Sequence, residues 1–329
     1  MKNLNLKRRI VSAAAAAVMS VSAIGGSVAG TAYVAVNNAN VLSSLAANSS
    51  VVFTESAGYA EGAYAEWAPV SNATGYNVYC DGVQIDSMLI RQYSGYFRAD
   101  AVGLKAGSHT IKVVPVISGS EDTSKAASVN VPSTSYDREG FCFSSSSVTG
   151  GSGLGAYNDD GTLKSNAVVL YVTEETKNTV TMDVQTAASK TTSCTGIGAI
   201  LKAMQKGYET RPVAIRIIGK VTADGITTSG DTNNLLLKAS ATDSPIQNVT
   251  VEGIGEDAVC YGFGVRCQRA RSIEIRNLAI MLFGDDGIAL ETDNYNIWVH
   301  NNDIFYGTAG SDADQAKGDG SMDLKNEYK

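Results

Sequence analysis

Cysteine and histidine are scarce in this 329-residue sequence, and no apolar run is long enough to cross a bilayer. The five cysteines are odd in number and widely spaced, which excludes a dense disulfide framework and paired zinc-ligand spacing. We expect most of them to be buried as small apolar residues. Neither His109 nor His300 lies near a nucleophile or a carboxylate pair in the motifs, so no histidine-based catalytic centre is predicted.

An excess of positive charge is also absent, because the formal net charge is −7. Removing the four cations among the first nine residues changes it to −11, since that segment holds no acid. A nucleic-acid partner is therefore disfavoured. The same cations precede an apolar stretch at residues 10–24 and small-residue cleavage sites at 27–32, the pattern of a secretory signal peptide. A membrane anchor is the alternative, but the stretch is shorter than the roughly 20 residues that span a bilayer. We predict a signal peptide over 1–32, secretion, and no membrane association.

The residues that are present favour strands. Glycine is frequent at 33 residues and proline rare at 5, a bias that suits short strands joined by tight turns. A small, polar leader at 33–50 precedes alternating runs over 51–132. The clearest run predicts a hairpin of strand 76–80, turn Asp81-Gly82 and strand 83–85, with a type I′ turn. With Trp67 and Tyr76 as core aromatics, this pattern predicts a small antiparallel β-sandwich.

The sandwich segment loosely resembles a fibronectin type III-like module, which implies no chemistry. Exposed aromatic residues that bind sugar are the alternative interpretation of its aromatic side chains.

An internal repeat runs through residues 248–323. The segments 248–254, 272–278 and 296–302 align, so that Val249, Ile273 and Ile297 recur every 24 residues. A second track aligns Gly264, Gly287 and Gly320 at spacings of 23 and 33 residues. Two strand tracks that repeat together predict a parallel β-helix; the regular leucine pattern of a leucine-rich repeat is absent.

One amphipathic helix is predicted at 194–206, with Ser193 or Thr195 as its N-cap. Its apolar residues recur at helical spacing, at Ile197, Ile200, Leu201 and Met204. We expect this helix to close the N-terminal end of the β-helix.

The second track carries three aspartates, Asp286, Asp319 and Asp323, which stacking would bring to one outer region. Three carboxylates without a neighbouring histidine or cysteine suit Ca²⁺ better than zinc. The alternative is that Asp-Gly pairs are turn residues, which is common.

The ordered series of motifs resembles the pectate lyases of polysaccharide lyase family 1, and the resemblance covers about residues 137–329. The motifs are Asn248-Val-Thr-Val-Glu-Gly-Ile-Gly, Gly262-Phe-Gly-Val-Arg, Ser272-Ile-Glu-Ile-Arg-Asn-Leu, Asn296-Ile-Trp-Val-His-Asn and Ala316-Lys-Gly-Asp-Gly-Ser-Met-Asp-Leu-Lys325. The resemblance implies an all-β chain with a right-handed parallel β-helix that cleaves polygalacturonate (pectin) by calcium-dependent β-elimination. It also implies that Asp286, Asp319 and Asp323 bind Ca²⁺, with Asp285 as the alternative to Asp286. Lys325 would contact a substrate carboxylate.

Two features depart from the family pattern. The chain reads Trp298-Val299-His300-Asn301 where the family often reads Trp-Ile-Asp-His. The arginine base that the resemblance implies would lie beyond Lys329, so we expect an incomplete β-helix that binds calcium without lyase turnover.

Two other classes of function stay open at this stage. One is a β-helical polygalacturonase-type hydrolase, in which clustered aspartates act as acid and base. The other is a non-catalytic protein, which would bind acidic polysaccharide or serve as an adhesin. In either case we expect a monomer.

Overall fold

A computed structural model describes residues 48–143, 153–227, 234–308 and 320–326. Its first part is antiparallel, in two sheets with the strand orders β1-β2-β6-β5 and β4-β3-β7-β8, and β9 also pairs with β7. The strands are β1 Phe53–Tyr59, β2 Gly62–Trp67, β3 Ala73–Cys80, β4 Val83–Gln84, β5 Ile90–Gln92, β6 Phe97–Val102, β7 Gly107–Ile117, β8 Ser120–Glu121 and β9 Ala127–Ser133. Short 3₁₀ turns lie at Ser87–Leu89, Thr123–Lys125 and Phe141–Phe143.

The hairpin and the core aromatics of this sandwich are confirmed. Cys80 pairs with Val83 across the turn, where Asp81 and Gly82 take φ angles of 50° and 82°. Positive φ at both central residues matches the right-handed twist of the flanking strands. Trp67 is fully buried and meets Tyr76 edge to face, with ring centroids 5.1 Å apart. These two rings are therefore core residues, not a sugar-binding surface.

The second part is a parallel β-helix. Its strands are β10 Val168–Val172, β11 Thr181–Ala187, β12 Lys190–Thr195, β13 Val213–Thr222, β14 Asn234–Lys238, β15 Ile246–Tyr261, β16 Gly264–Gln268, β17 Ala270–Arg276, β18 Ala279–Met281, β19 Ile288–Glu291, β20 Tyr295–His300, β21 Asp303–Ile304 and β22 Met322–Lys325. The first sheet has the order β10-β13-β15-β17-β20, and the second has the order β14-β16-β19-β22; every pairing in both is parallel. The ends of β13 and β15 continue through β18 into β21 as a third track.

The register of the first sheet confirms the 24-residue repeat. Val249 pairs with Ile273, and Ile273 pairs with Ile297. The residue before each of these, Asn248, Ser272 and Asn296, has a φ angle of 53° to 58°. Each rung of the helix therefore turns at the same place, through a residue in the left-handed region.

The second track is confirmed in its existence but corrected in its register. Val265 pairs with Ile288 and Ile288 with Met322, so Gly264 lies opposite Gly287 as predicted. Ser321, however, takes the place on the third strand that the glycine spacing assigned to Gly320. Successive side chains of a strand point to opposite faces, so this shift of one residue decides which face each side chain of β22 occupies.

Helix α1 spans Ile197–Met204 and packs its apolar residues into the β-helix core. It contacts β14, the first strand of the second sheet, so it lies at the predicted N-terminal end. The predicted cap by Ser193 or Thr195 is wrong, because strand β12 runs to Thr195. The N-cap is Gly196 with φ of 86°, which makes no side-chain capping bond.

Replacing the core residue Ile273 by alanine is expected to lower the free energy of unfolding by about 2–5 kcal/mol, through lost burial and a residual cavity. Ile273 is fully buried between Val249 and Ile297 of the adjacent rungs. Urea denaturation measures the change, with Val83→Ala as the control because Val83 is 71% exposed. A loss below about 1 kcal/mol, within the range of ordinary substitutions, would contradict this packing.

The five cysteines are Cys80, Cys142, Cys194, Cys260 and Cys267, and none forms a disulfide. All but Cys142 are buried, which confirms the expectation that most act as small apolar residues. Over the described parts of the chain, no helix is long and apolar enough to cross a membrane.

Candidate functional site

Polar side chains form two rows on the second sheet, on the face that points away from the core. Arg266, Ala289 and Asp323 occupy one row, and Gln268, Glu291 and Lys325 the next, in strict register across β16, β19 and β22. We call these six residues the outer face. The alternating residues between them, such as Val265 and Ile288, are fully buried in the core. Parallel stacking therefore brings residues from three separate rungs to one surface.

Arg266 joins the rungs of the outer face through carboxylates. Its Nε and Nη2 atoms lie 2.9 and 2.7 Å from Glu291 Oε2, and its Nη1 lies 3.5 Å from Asp285 Oδ2. Gln268 Nε2 donates to the same Glu291 oxygen. The side chains of Arg266 and Asp285 are 19% and 25% exposed, so this ion pair is accessible at the surface.

Asp286 occupies a different position from its neighbour Asp285. It is buried, at 2% exposure, rather than open on the outer surface as the stacking argument suggested. Its Oδ1 accepts a hydrogen bond of 3.0 Å from the backbone N–H of Gly320. The first predicted ligand thus lies against the residue that follows Asp319; Asp319 itself lies outside the described residues.

Asp323 and Lys325 lie together on β22, two residues apart on the outer face. Lys325 Nζ is 2.5 Å from Asp323 Oδ2. This hydrogen bond, together with the nearby negative charges of Asp286 and Glu291, raises the pKa of Lys325 above its ordinary value. Lys325 is therefore cationic at neutral pH, beside Asp323 of its own strand and two carboxylates of the adjacent β19 rung.

The charge balance of this region is negative. Four carboxylates, those of Asp285, Asp286, Glu291 and Asp323, face two cations, Arg266 and Lys325. Side-chain oxygen atoms with excess negative charge are the donors that a hard divalent cation prefers. The region therefore suits Ca²⁺, or an anionic ligand bridged to the protein by such a cation.

The histidines lie elsewhere. His300 stacks on Trp298 at 3.6 Å between ring centroids and lies 3.1 Å from Glu274, on the outward side of the first sheet. His109 belongs to the sandwich, where it meets Asp81. The change from the usual family motif at Trp298–Asn301 therefore does not touch the outer face of the second sheet.

Arg266, Glu291 and Gln268 were not predicted as site residues from the sequence. The spacing of the second track held the signal, since Arg266 is two residues after Gly264 and Ala289 is two residues after Gly287. The corrected register adds Asp323 to that row.

A second charged group, absent from the sequence predictions, lies under the sandwich. Arg276 is 2% exposed and contacts three carboxylates, at 2.8 Å from Glu61 of the sandwich, 2.8 Å from Glu252 and 3.1 Å from Glu274. Arg216 extends the group by binding Glu252 at 2.9 Å. This group joins the sandwich to the first sheet, so its role is structural.

Comparison with known proteins finds similarity to two curated relatives over part of this chain. Two curated pectate trisaccharide-lyases from Bacillus licheniformis are each 29% identical to this chain over 129 residues, which is 38% of this chain and 34% of each relative. The chain thus spans about a third of the length of the curated relatives it matches. A family 28 exopolygalacturonase from Yersinia enterocolitica is 12% identical, with 82% of this chain and 67% of that chain covered, but the TM-score of 0.22 carries no argument. No protein-family model matches the sequence.

Proposed function

We propose that this protein is a secreted pectate lyase that cleaves polygalacturonate by calcium-dependent β-elimination. The observation that carries the proposal is the electrostatic interaction of Lys325 with Asp323 on its own strand and with the buried Asp286 of the adjacent rung. The similarity to pectate trisaccharide-lyases supports the substrate class. Secretion follows from the signal-peptide pattern of the first 32 residues.

The donor set fits calcium. Asp286 and Asp323 would hold the ion together with Asp319, and all three supply carboxylate oxygens. The surplus of carboxylates over cations offsets the charge of a divalent ion. When bound, calcium withdraws charge from a uronate carboxylate, which makes the neighbouring C5 proton more acidic.

Lys325 and Arg266 would bind the substrate. Polygalacturonate is a polyanion and the protein is acidic, so local positive charge is needed where a uronate carboxylate docks. Lys325 is half exposed, with 51% of its side chain accessible, and stays cationic. Arg266 is fixed by Glu291 and Asp285, which orients its guanidinium group across the rungs. A guanidinium so paired suits anion binding and orientation rather than proton removal.

The decisive experiment compares products formed in calcium and in chelator. A lyase leaves an unsaturated, ultraviolet-absorbing end on its product, and we expect this product in calcium only, from a version extended past Lys329 that carries the arginine base implied by the resemblance. Saturated reducing ends formed in chelator would overturn the proposal and indicate the hydrolase. Calcium-dependent binding of polygalacturonate without either product, in the 329-residue chain and in the extended version alike, would indicate the non-catalytic polysaccharide-binding protein.

Replacing Lys325 by methionine is expected to weaken polygalacturonate binding by at least about 10-fold, since one charge-assisted contact is worth about 1.5–3 kcal/mol. Equilibrium binding in calcium measures the change. Lys190→Met is the matched control, because Lys190 is exposed on the β11–β12 hairpin. Equal losses in both variants would indicate general charge attraction and count against a specific contact at Lys325.

A further inference from the structure

A cysteine, an aspartate and a histidine converge in the sandwich, away from the outer face. The Sγ of Cys80, a carboxylate oxygen of Asp81 and a ring nitrogen of His109 lie within 4.8 Å of one another. Among the described residues, this is the one group of three or more His, Cys, Asp or Glu whose ligand atoms all lie that close together. Cys80 and His109 are buried, whereas the Asp81 side chain is 51% exposed. A small ion can therefore reach the group from the Asp81 side.

The local fold explains why the three meet. Cys80 ends β3 and pairs with Ile111 on β7, so His109, two residues before Ile111, shares the face of Cys80. Asp81 begins the hairpin turn with a φ of 50°, and its N–H donates to Thr110 O at 2.9 Å. This left-handed turn brings the Asp81 carboxylate back towards His109.

His109 and Asp81 are each held in place by a hydrogen bond to the side-chain atom that points away from the other two residues. His109 Nε2 lies 2.9 Å from the backbone carbonyl of Lys105, a pure acceptor, so Nε2 carries a proton. The Asp81 Oδ1 accepts from Thr110 N at 2.8 Å. His109 Nδ1 and Asp81 Oδ2 then face one another at 2.6 Å. A metal-bound histidine is held in the same way, with its other nitrogen donating to a carbonyl.

The geometry points to a binding site for one divalent ion of the zinc class, formed by Cys80 Sγ, Asp81 Oδ2 and His109 Nδ1. A neutral imidazole with a proton on Nε2 presents a lone pair from Nδ1 to the Asp81 carboxylate, so a positive centre between them is required. A proton satisfies the pair alone, whereas a metal ion satisfies the pair and also binds Cys80 Sγ, releasing the thiol proton to solvent.

The chemistry of the donors selects the ion. Thiolate and imidazole ligands suit zinc, and Ca²⁺ prefers oxygen ligands only. One thiolate and one carboxylate neutralise the double charge of the ion, and three protein ligands leave a fourth position for water. Ligands of a tetrahedral zinc are about 3.4 Å apart, so the contact between Nδ1 and Oδ2 needs to widen by less than about 1 Å. Binding would tie the β3–β4 turn to β7.

Cobalt(II) titration of the chelator-treated full chain tests the site, because cobalt replaces zinc and cobalt–thiolate bonds absorb in the near ultraviolet. We expect a saturable absorbance at one ion per chain, its loss on adding zinc, and a zinc-dependent rise in the thermal midpoint. Cys80→Ser should abolish the absorbance. His109→Gln, which keeps the thiol, should weaken cobalt binding by at least about 10-fold.

Controls separate this site from others. Cys142→Ser should keep the absorbance, although Cys142 is the most exposed of the cysteines. Asp323→Asn should also keep it, because that residue belongs to the proposed calcium site; this proposal does not depend on the lyase function. No cobalt–thiolate absorbance in the wild-type chain would overturn the site and leave the proton as the only positive centre. Absorbance that survives in Cys80→Ser, or that disappears in Cys142→Ser, would overturn it equally.

Discussion

Replacing Arg276 by methionine is expected to lower the free energy of unfolding by about 3–5 kcal/mol, the cost of removing one partner from a buried ion pair. Methionine keeps much of the side-chain length, so lost packing contributes little beside the lost charge. The substitution would leave the carboxylates of Glu61, Glu252 and Glu274 without their shared cation. Each of these carboxylates is at most 2% exposed, so water cannot replace the guanidinium group.

The measurement is urea denaturation of the full chain. Unfolding is monitored by intrinsic fluorescence and, separately, by circular dichroism. Arg271→Met is the matched control, because Arg271 lies on the same strand and stacks near Tyr295 at a partly exposed position. We expect the control to change stability by less than about 1 kcal/mol. If Arg276→Met were as stable as the control, the buried group would not hold the sandwich on the first sheet.

Replacing Asp323 by asparagine is expected to reduce calcium-dependent polygalacturonate binding and product formation by about 100-fold or more. The reason is that a metal ion supplies several kcal/mol of charge stabilisation, and each 1.4 kcal/mol corresponds to about a factor of ten. Asparagine keeps the shape of the side chain and removes only its charge. The fold should be almost unaffected, since Asp323 is partly exposed on an outer row.

Calcium titrations of binding and of unsaturated-product release test this result side by side. Asp303→Asn is the control, because Asp303 is an exposed aspartate on β21, in the third track. Asp286→Asn should match Asp323→Asn in function, whereas Asp285→Asn should act by loosening Arg266. Unchanged calcium affinity in both Asp286→Asn and Asp323→Asn would contradict the proposed metal site.

Local patterns in the sequence were sufficient for the repeat and for the hairpin. The alternation of apolar residues around Val249, Ile273 and Ile297 identifies a buried strand face, and the structure places the three in register. The Asp81-Gly82 pair identifies its turn because both residues tolerate positive φ. One signal is a short alternation that recurs every 24 residues and the other is a dipeptide, so both can be recognised in the linear sequence without the fold.

The last rung shows where such patterns stop. With Gly320 opposite Gly287, Asp323 would lie opposite Leu290 and point into the core; the observed register places it opposite Ala289, in the row of Arg266. The extra residues before Gly320 break the regular spacing of the second track, so the spacing does not fix how β22 aligns with β19. Only the hydrogen bonds between these two strands decide that register.

The sequence by itself determined that a small sandwich is followed along the chain by stacked β-helix rungs. It also identified aspartates that lie on neighbouring rungs. The tertiary structure alone decided which charged residues are covered. Glu61 and Arg276 are separated by 215 residues, and the repeat marks Arg276 only as an outward position. Docking of the sandwich buries it, whereas Arg266, outward on the second sheet, keeps part of its side chain in solvent. A strand pattern specifies which face a side chain takes, but burial of a polar face depends on what distant part of the chain packs on it.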